Sequence, residues 1–217
     1  MDSGSKPLPM RPQGLTGRLF GIVMERMNRG AYRRALALLA PRAGERFLEI
    51  GFGTGRFAEL LLASAPDVRV AGVDPTPTMV EVANRRRGVR AAGARADLRE
   101  GLDQPLAFDA ASLDAVVALH SFQFWPDPGV TLTEARRVLA PGGRLVVVLR
   151  DHRRDAPDWL PNPVSRGHDE PAAAARLVRE AGFAVDTHAT GGDPLLIVGR
   201  VPGERAHTPH AEASSWR

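Results

Sequence analysis

The sequence predicts an α/β protein built on a doubly wound, mainly parallel sheet, and three observations carry that expectation. Short apolar runs alternate with stretches of helical periodicity from residue 46 onward. A glycine-rich turn, Gly51-Phe52-Gly53-Thr54-Gly55, falls directly between the first such run and the helix after it. The last two strand-like segments are joined by a few residues containing Gly191-Gly192-Asp193. That link is too short for a crossover helix, so the pair is an antiparallel hairpin.

Taken in order, Leu19, Ile22, Val23, Met27, Ala31, Ala35, Leu38 and Leu39 recur at helical spacing from Thr16 to about Ala40, with Gly30 as an interruption and Pro41 as the stop. Thr16 is the residue type that caps such a helix. Arg46–Ile50 is the first strand, and a helix from Arg56 to about Ala63 sets Phe57, Leu60 and Leu61 on one face. Val68–Val73 is the second strand, ending at Asp74-Pro75, and Pro77 opens an Arg-rich helix that the spacing extends to residue 92. Ala96 and Leu98 alternate with Asp97 and Arg99 in a short third strand before Gly101. Leu113–Leu119 is the fourth strand, Thr133–Leu139 a helix stopped by Pro141-Gly142-Gly143, and Arg144–Leu149 the fifth strand. Pro171–Ala181 is helical, Gly182 ends it, and Phe183–Thr190 and Leu195–Val201 form the closing hairpin. Residues 1–43 are thus an arm and capping helix, 44–202 the folded domain, and 203–217 a disordered tail.

Composition narrows the chemistry. The chain has 217 residues and no cysteine, which excludes disulfide scaffolds, thiolate-bound zinc and thiol nucleophiles. Residues 1–46 hold nine basic and three acidic side chains, net +6, while the remainder holds twenty and twenty-two, net −2. The basic character belongs to the arm, where it either attracts an anionic partner or is scattered, solvated arginine. The start, Met1-Asp2-Ser3-Gly4-Ser5-Lys6-Pro7, has no apolar leader, and Leu19–Met24 is cut short by Glu25. A cytoplasmic location is the reading.

The turn and Asp74 carry the chemistry. Glycines allow a sharp bend and close approach of a ligand. Asp74 lies 23 residues beyond Gly51, at the tip of the neighbouring strand, where a carboxylate accepts both hydroxyls of a ribose. Dinucleotide folds use G-x-G-x-x-G with the pyrophosphate on a helix N-terminus, but here the spacing is G-x-G-x-G and Arg56 follows. Glu49, two residues before Gly51, is ill placed for pyrophosphate and well suited to a ligand bearing an ammonium group.

With these residues in view, the sequence resembles the class I S-adenosylmethionine-dependent methyltransferases of the bacterial small-molecule type (methyltransferase domain 11/25-like). The resemblance runs through Phe47–Gly55, Gly72–Met79, Leu113–Val117, Glu134–Leu145 and Glu180–Phe183, and covers roughly residues 44–201. It implies a Rossmann-like seven-stranded sheet of order 3-2-1-4-5-7-6, with strand 7 antiparallel, and S-adenosylmethionine as cofactor. It further implies that Glu49 and the turn Gly51, Phe52, Gly53, Thr54, Gly55 hold the methionine moiety and Asp74, beside Pro75, the ribose. Met79 packs near the adenine or is a plain core contact. Where relatives place an acid after the glycine ending strand three, this chain has Leu102 and then Asp103. Either Asp103 takes the role or the adenine is held by apolar contact and backbone.

Methyl transfer is an in-line displacement that alignment alone accelerates, and an acceptor of high pKa also needs a base. His120, just past strand four, is the candidate base or else a wall of the cofactor pocket, with His152 and His168 as weaker candidates. Phe122, Phe124 and Trp125 line an apolar acceptor pocket or form core beneath the next helix. Tyr32 on the N-terminal helix and Arg150 after strand five complete the substrate-side candidates. The resemblance implies a small-molecule acceptor at an oxygen, nitrogen or carbon nucleophile. The short segment 150–171 leaves an open site or one completed by a second subunit in a homodimer. Leu119-His120-Ser121-Phe122-Gln123-Phe124 lacks the N/D-P-P-Y/F/W loop of base-amine methylation, which disfavours nucleic acid. The alternatives are a methyltransferase-fold binding protein or RNA methyltransferase using the basic arm, and, with less support, an NAD-dependent reductase.

Overall fold

A computed structural model describes residues 25–102, 105–149, 170–188 and 195–203. A helical turn at 25–27 passes through Asn28 into α1 (Arg29–Leu39). There follow β1 (Arg46–Ile50), α2 (Arg56–Leu62), β2 (Arg69–Asp74), α3 (Pro77–Asn84), α4 (Arg87–Ala92) and β3 (Ala96–Glu100). The second half holds β4 (Leu113–Leu119), α5 (Pro128–Val138), β5 (Leu139–Leu149), α6 (Glu170–Glu180), β6 (Ala184–His188) and β7 (Leu195–Arg200).

The strands make one seven-stranded sheet in the order β3-β2-β1-β4-β5-β7-β6, as the resemblance implied. β1 is parallel to both β2 and β4, so the chain reverses its direction of build at that junction. β7 runs antiparallel between β5 and β6. Period-two alternation sends each buried strand to two separate cores. Phe47, Ala115, Val117, Val146 and Val148 join α1, α2 and α4 on one face. Leu48, Val116, Ala118, Leu145 and Val147 join α5 and α6 on the other.

Several expectations for the helices shift, each for a local reason. The N-terminal helix breaks at Asn28 and runs unbroken through Gly30, while Ala40 adopts a left-handed conformation with its N–H on the Leu36 carbonyl before Pro41. Met27, expected on the apolar stripe, is 54% exposed. The helix expected over 77–92 divides because Arg86 is extended, with φ −62° and ψ 138°. α5 starts five residues before the expected Thr133, because the Asp127 carboxylate accepts the amides of Gly129 and Val130 at 3.0 and 3.1 Å and Pro128 supplies a preset first turn. On α2 the buried face is Phe57, Ala58, Leu61 and Leu62, with Leu60 only partly covered. Thr16 and the tail beyond 203 lie outside the described residues.

A buried ion pair pins the end of the sheet opposite the glycine turn. Arg144 Nη2 meets Glu45 Oε2 at 2.6 Å, and its Nε donates to the Leu39 carbonyl at 2.6 Å. The same guanidinium lies 5.5 Å over the Phe47 ring. One side chain thereby joins the end of α1, the entrance of β1 and the middle of β5.

Candidate active site

At the carboxyl ends of β1, β2 and β4 the glycine turn is built from the inside. Gly51 has φ +75°, and a Cβ there would lie 2.4 Å from the Ser121 Cβ, so neither the angle nor the space admits a side chain. Its N–H donates to the Val73 carbonyl at 2.8 Å, and Ser121 Oγ donates to the Ile50 carbonyl at 2.5 Å. Gly55 lies against α3, where a Cβ would come within 2.6 Å of the Ala83 Cβ. Gly53 differs: its φ is +54°, and a Cβ there would meet no atom within 4 Å. The middle of the turn therefore faces open space among the described residues.

Asp74 supports this turn from the neighbouring strand. Its Oδ2 accepts the Gly53 amide at 2.8 Å and its Oδ1 the Thr76 amide at 2.9 Å. Burial raises its pKa, and the two amides act in the opposite direction. Glu49 is buried still more deeply, at 2% exposure, and its Oε2 has no hydrogen-bond partner among the described residues. Desolvation, and next the charge of Asp74, hold its carboxyl well above the usual carboxylate range. The charge of Asp74 thus favours the protonated form of the buried Glu49 carboxyl. Tyr32 leans in from α1, its ring 5.8 Å from that of Phe57. Burial, and then the charge of Glu49, push its phenol up to about 12.

His120 ends β4 at φ +55°, a conformation that a residue with a side chain adopts at a cost of order 1 kcal/mol or more. Its N–H donates to the Val148 carbonyl at 2.9 Å, and Gln123 Nε2 donates to its carbonyl at 2.9 Å.

The expected site residues separate accordingly. Glu49, Gly51, Gly53, Gly55, Asp74, Tyr32 and His120 come from the strand ends and helices that surround the turn. Phe52 contributes its backbone there, while its ring is buried in the core against Gly72. Phe122 and Trp125 pack against each other, ring centroids 4.9 Å apart, within the core layer that includes α5. Met79 is buried on α3, Pro75 is exposed at the tip of β2, and Leu102, beyond β3, is 62% exposed. Asp103, Arg150, His152 and His168 lie outside the described residues. Three contributors escape sequence reading: Ser121, Thr76 and Arg86, whose Nη1 is 3.3 Å from the Thr54 carbonyl. Ser121 is signalled only by its position after the strained His120. Among the described residues no cluster of three or more His, Cys, Asp or Glu is arranged to hold a metal.

An orphaned carboxylate oxygen beneath an open glycine turn fits a ligand that carries both a cation and hydroxyl groups. Residues 48–147 match the model of the methyltransferase domain family, Methyltransf_11. With the sheet order, that match makes the chain similar to the class I S-adenosylmethionine-dependent methyltransferases, a family whose cofactor is S-adenosylmethionine. It is 39% identical over 116 residues to a demethylmenaquinone methyltransferase of Thermus thermophilus, covering 54% of this chain and 52% of that protein. It is 36% identical over 152 residues to the 27-O-demethylrifamycin SV methyltransferase of Amycolatopsis mediterranei, covering 70% of this chain and 51% of the other. The chain spans about half the length of these curated relatives. A solved S-adenosylmethionine-dependent methyltransferase from Aquifex aeolicus shares the fold, with TM-score 0.65 at 18% identity over 78% of this chain and 89% of that one.

Proposed function

We propose that this chain is an enzyme that methylates a nucleophilic oxygen, nitrogen or carbon of a small molecule. The observation that carries this reading is the unpartnered Oε2 of Glu49 beside Asp74, beneath the open face of Gly53. Glu49 would hold the ammonium of the methionine moiety, and the remaining lone pairs of Asp74 the ribose hydroxyls. Bound S-adenosylmethionine supplies the methyl group as a sulfonium. The exposed Leu102, beyond β3, would cover the adenine, with Met79 on α3 as a second apolar contact.

The protein's part is alignment and charge. Glu49 and Asp74, desolvated and held by backbone, fix the cofactor without reorganising when the reaction occurs. His120, on strained backbone at the tip of β4, would take the proton from an oxygen or nitrogen acceptor. Tyr32 would close the site from α1. The two relatives support a small-molecule acceptor, because one is named for a quinone and the other for the 27-O position of a rifamycin. The test is a metabolite screen for S-adenosylhomocysteine release, followed by mass spectrometry of the product. Release with no acceptor from the small-molecule pool, but with RNA, would overturn the reading in favour of a nucleic-acid methyltransferase.

A further inference from the structure

One arginine outside the carboxylate site touches three elements around the turn. Arg86 lies between α3 and α4, and its side chain is only 17% exposed. Its Nη1 and Nη2 form a fork onto Glu25 Oε1 and Oε2 at 2.8 and 3.1 Å. Its Nε donates to Glu59 Oε2 on α2 at 3.0 Å, and Nη1 also reaches the Thr54 carbonyl inside the turn at 3.3 Å. Glu59 is itself fixed, for its Oε1 accepts the Gly88 amide at 3.0 Å and its Oε2 accepts Arg56 Nη1 at 2.7 Å.

This arrangement has a direction. Glu59 and Thr54 belong to the turn and the helix it starts, whereas Glu25 belongs to the helical turn that leads into α1 and its Tyr32. Glu25 and Glu59 are 19% and 20% exposed, so solvent screens these contacts less than it would at the surface. A planar guanidinium makes all four bonds at once, which a lysine ammonium cannot reproduce.

We propose that Arg86 is a positioning residue that fastens the N-terminal helical segment beside the cofactor turn, so that the Glu25–Arg86 pair sets how long S-adenosylmethionine and its product stay bound. The proposal rests on the placement of the cofactor at the Gly51–Gly55 turn. With the pair intact, Tyr32 is held against Phe57, within electrostatic reach of Glu49, and the ligand leaves only when that segment lifts. With the pair broken, the segment lifts more often while the binding groups themselves are unchanged.

The test is the dissociation rate of S-adenosylhomocysteine from the full chain, measured by stopped flow at low and high salt. Wild type should release it faster as salt rises, because an ion pair is being screened. Glu25→Gln should release it about tenfold faster at low salt, the scale of one charge-assisted fork, and should lose most of the salt response. Arg86→Lys should fall between the two. A Glu25→Gln rate and salt response equal to wild type would overturn the proposal, and Glu25→Gln leaves every core contact in place, so misfolding does not obscure that result. Asp74→Asn in the same assay separates the two levels of the argument. If it weakens binding while Glu25→Gln does not, only the fastening role falls. If Asp74→Asn has no effect either, the cofactor placement falls with it.

Discussion

The Asp74 carboxylate accepts the backbone amide of Gly53 across the β1–β2 junction at 2.8 Å, so the acid at the end of one strand holds the glycine turn at the end of its neighbour. Removing Asp74 therefore changes the shape of the turn as well as removing the proposed ribose contact. Hydrogen bonds to a charged group each contribute about 1.5–3 kcal/mol. Asp74→Ala should weaken S-adenosylhomocysteine binding by about a hundredfold on that scale and lower the thermal midpoint of the ligand-free protein. Calorimetric titration checks the first and a melting curve the second; unchanged binding would remove the ribose from this position.

Glu49 makes a prediction with a definite sign. Its carboxyl titrates well above the ordinary range because it is buried and, secondarily, because Asp74 is charged. A group whose pKa is raised on folding stabilises the fold fully below its unfolded value and loses that contribution as pH rises through its folded value. The ligand-free protein should thus become less stable as pH climbs from about 4.3, the unperturbed glutamate value, and Glu49→Gln should flatten that decline. Cofactor binding should run the other way, strengthening with pH and releasing a proton where Glu49 is still protonated. Titration in two buffers of different ionisation enthalpy measures that proton. An identical pH dependence in Glu49→Gln would assign it to another group.

Gly51 and Gly53 should respond differently to the same small change. Gly51→Ala forces a Cβ to 2.4 Å from Ser121 on top of a left-handed angle, and should cost about 2–4 kcal/mol of folding stability. Gly53→Ala meets no atom, so it should cost only the backbone term of about 1–2 kcal/mol. Its larger effect should fall on cofactor affinity, because the new methyl group occupies the open face. Urea denaturation and ligand titration of both variants separate the two effects; equal affinities would place the ligand elsewhere.

At the other end of the sheet, Arg144→Met should destabilise the protein by about 3–5 kcal/mol, because the 3%-exposed Glu45 carboxylate loses the guanidinium that neutralises it. Pairing it with Glu45→Leu should recover much of the loss. Folded protein from the double variant should bind S-adenosylhomocysteine as wild type does. A denaturation curve and a titration check both halves.

The parts of the fold that were legible in the sequence are those decided by neighbours along the chain. β1 and β4 fall where Arg46–Ile50 and Leu113–Leu119 put them, because each is an apolar run bounded by turn residues. The closing hairpin followed from the length of its link alone. α5 began early because its first turn has little apolar pattern and is instead specified by the Asp127–Pro128 cap, a signal that periodicity ignores. Within the site, the turn and its two acids announce themselves by spacing. Arg86 does not, since Arg85-Arg86-Arg87 offers three equivalent cations until the chain bend selects the middle one. The fate of Phe122 and Trp125 was equally invisible, because an aromatic cluster after a strand has the same sequence whether it faces a ligand or a helix.

The position of β7 has a consequence for how the protein is made. Residues 195–200 enter the sheet between two strands that precede them in the chain, β5 and β6. Until that segment emerges during synthesis, the valine-rich side of β5 stands as an open edge, with a row of unsatisfied amides and carbonyls and nothing sequential to cover it. The nascent domain is therefore most prone to intermolecular strand pairing before residues 195–200 emerge, and β7 joins by insertion into a gap rather than by extension of a finished sheet.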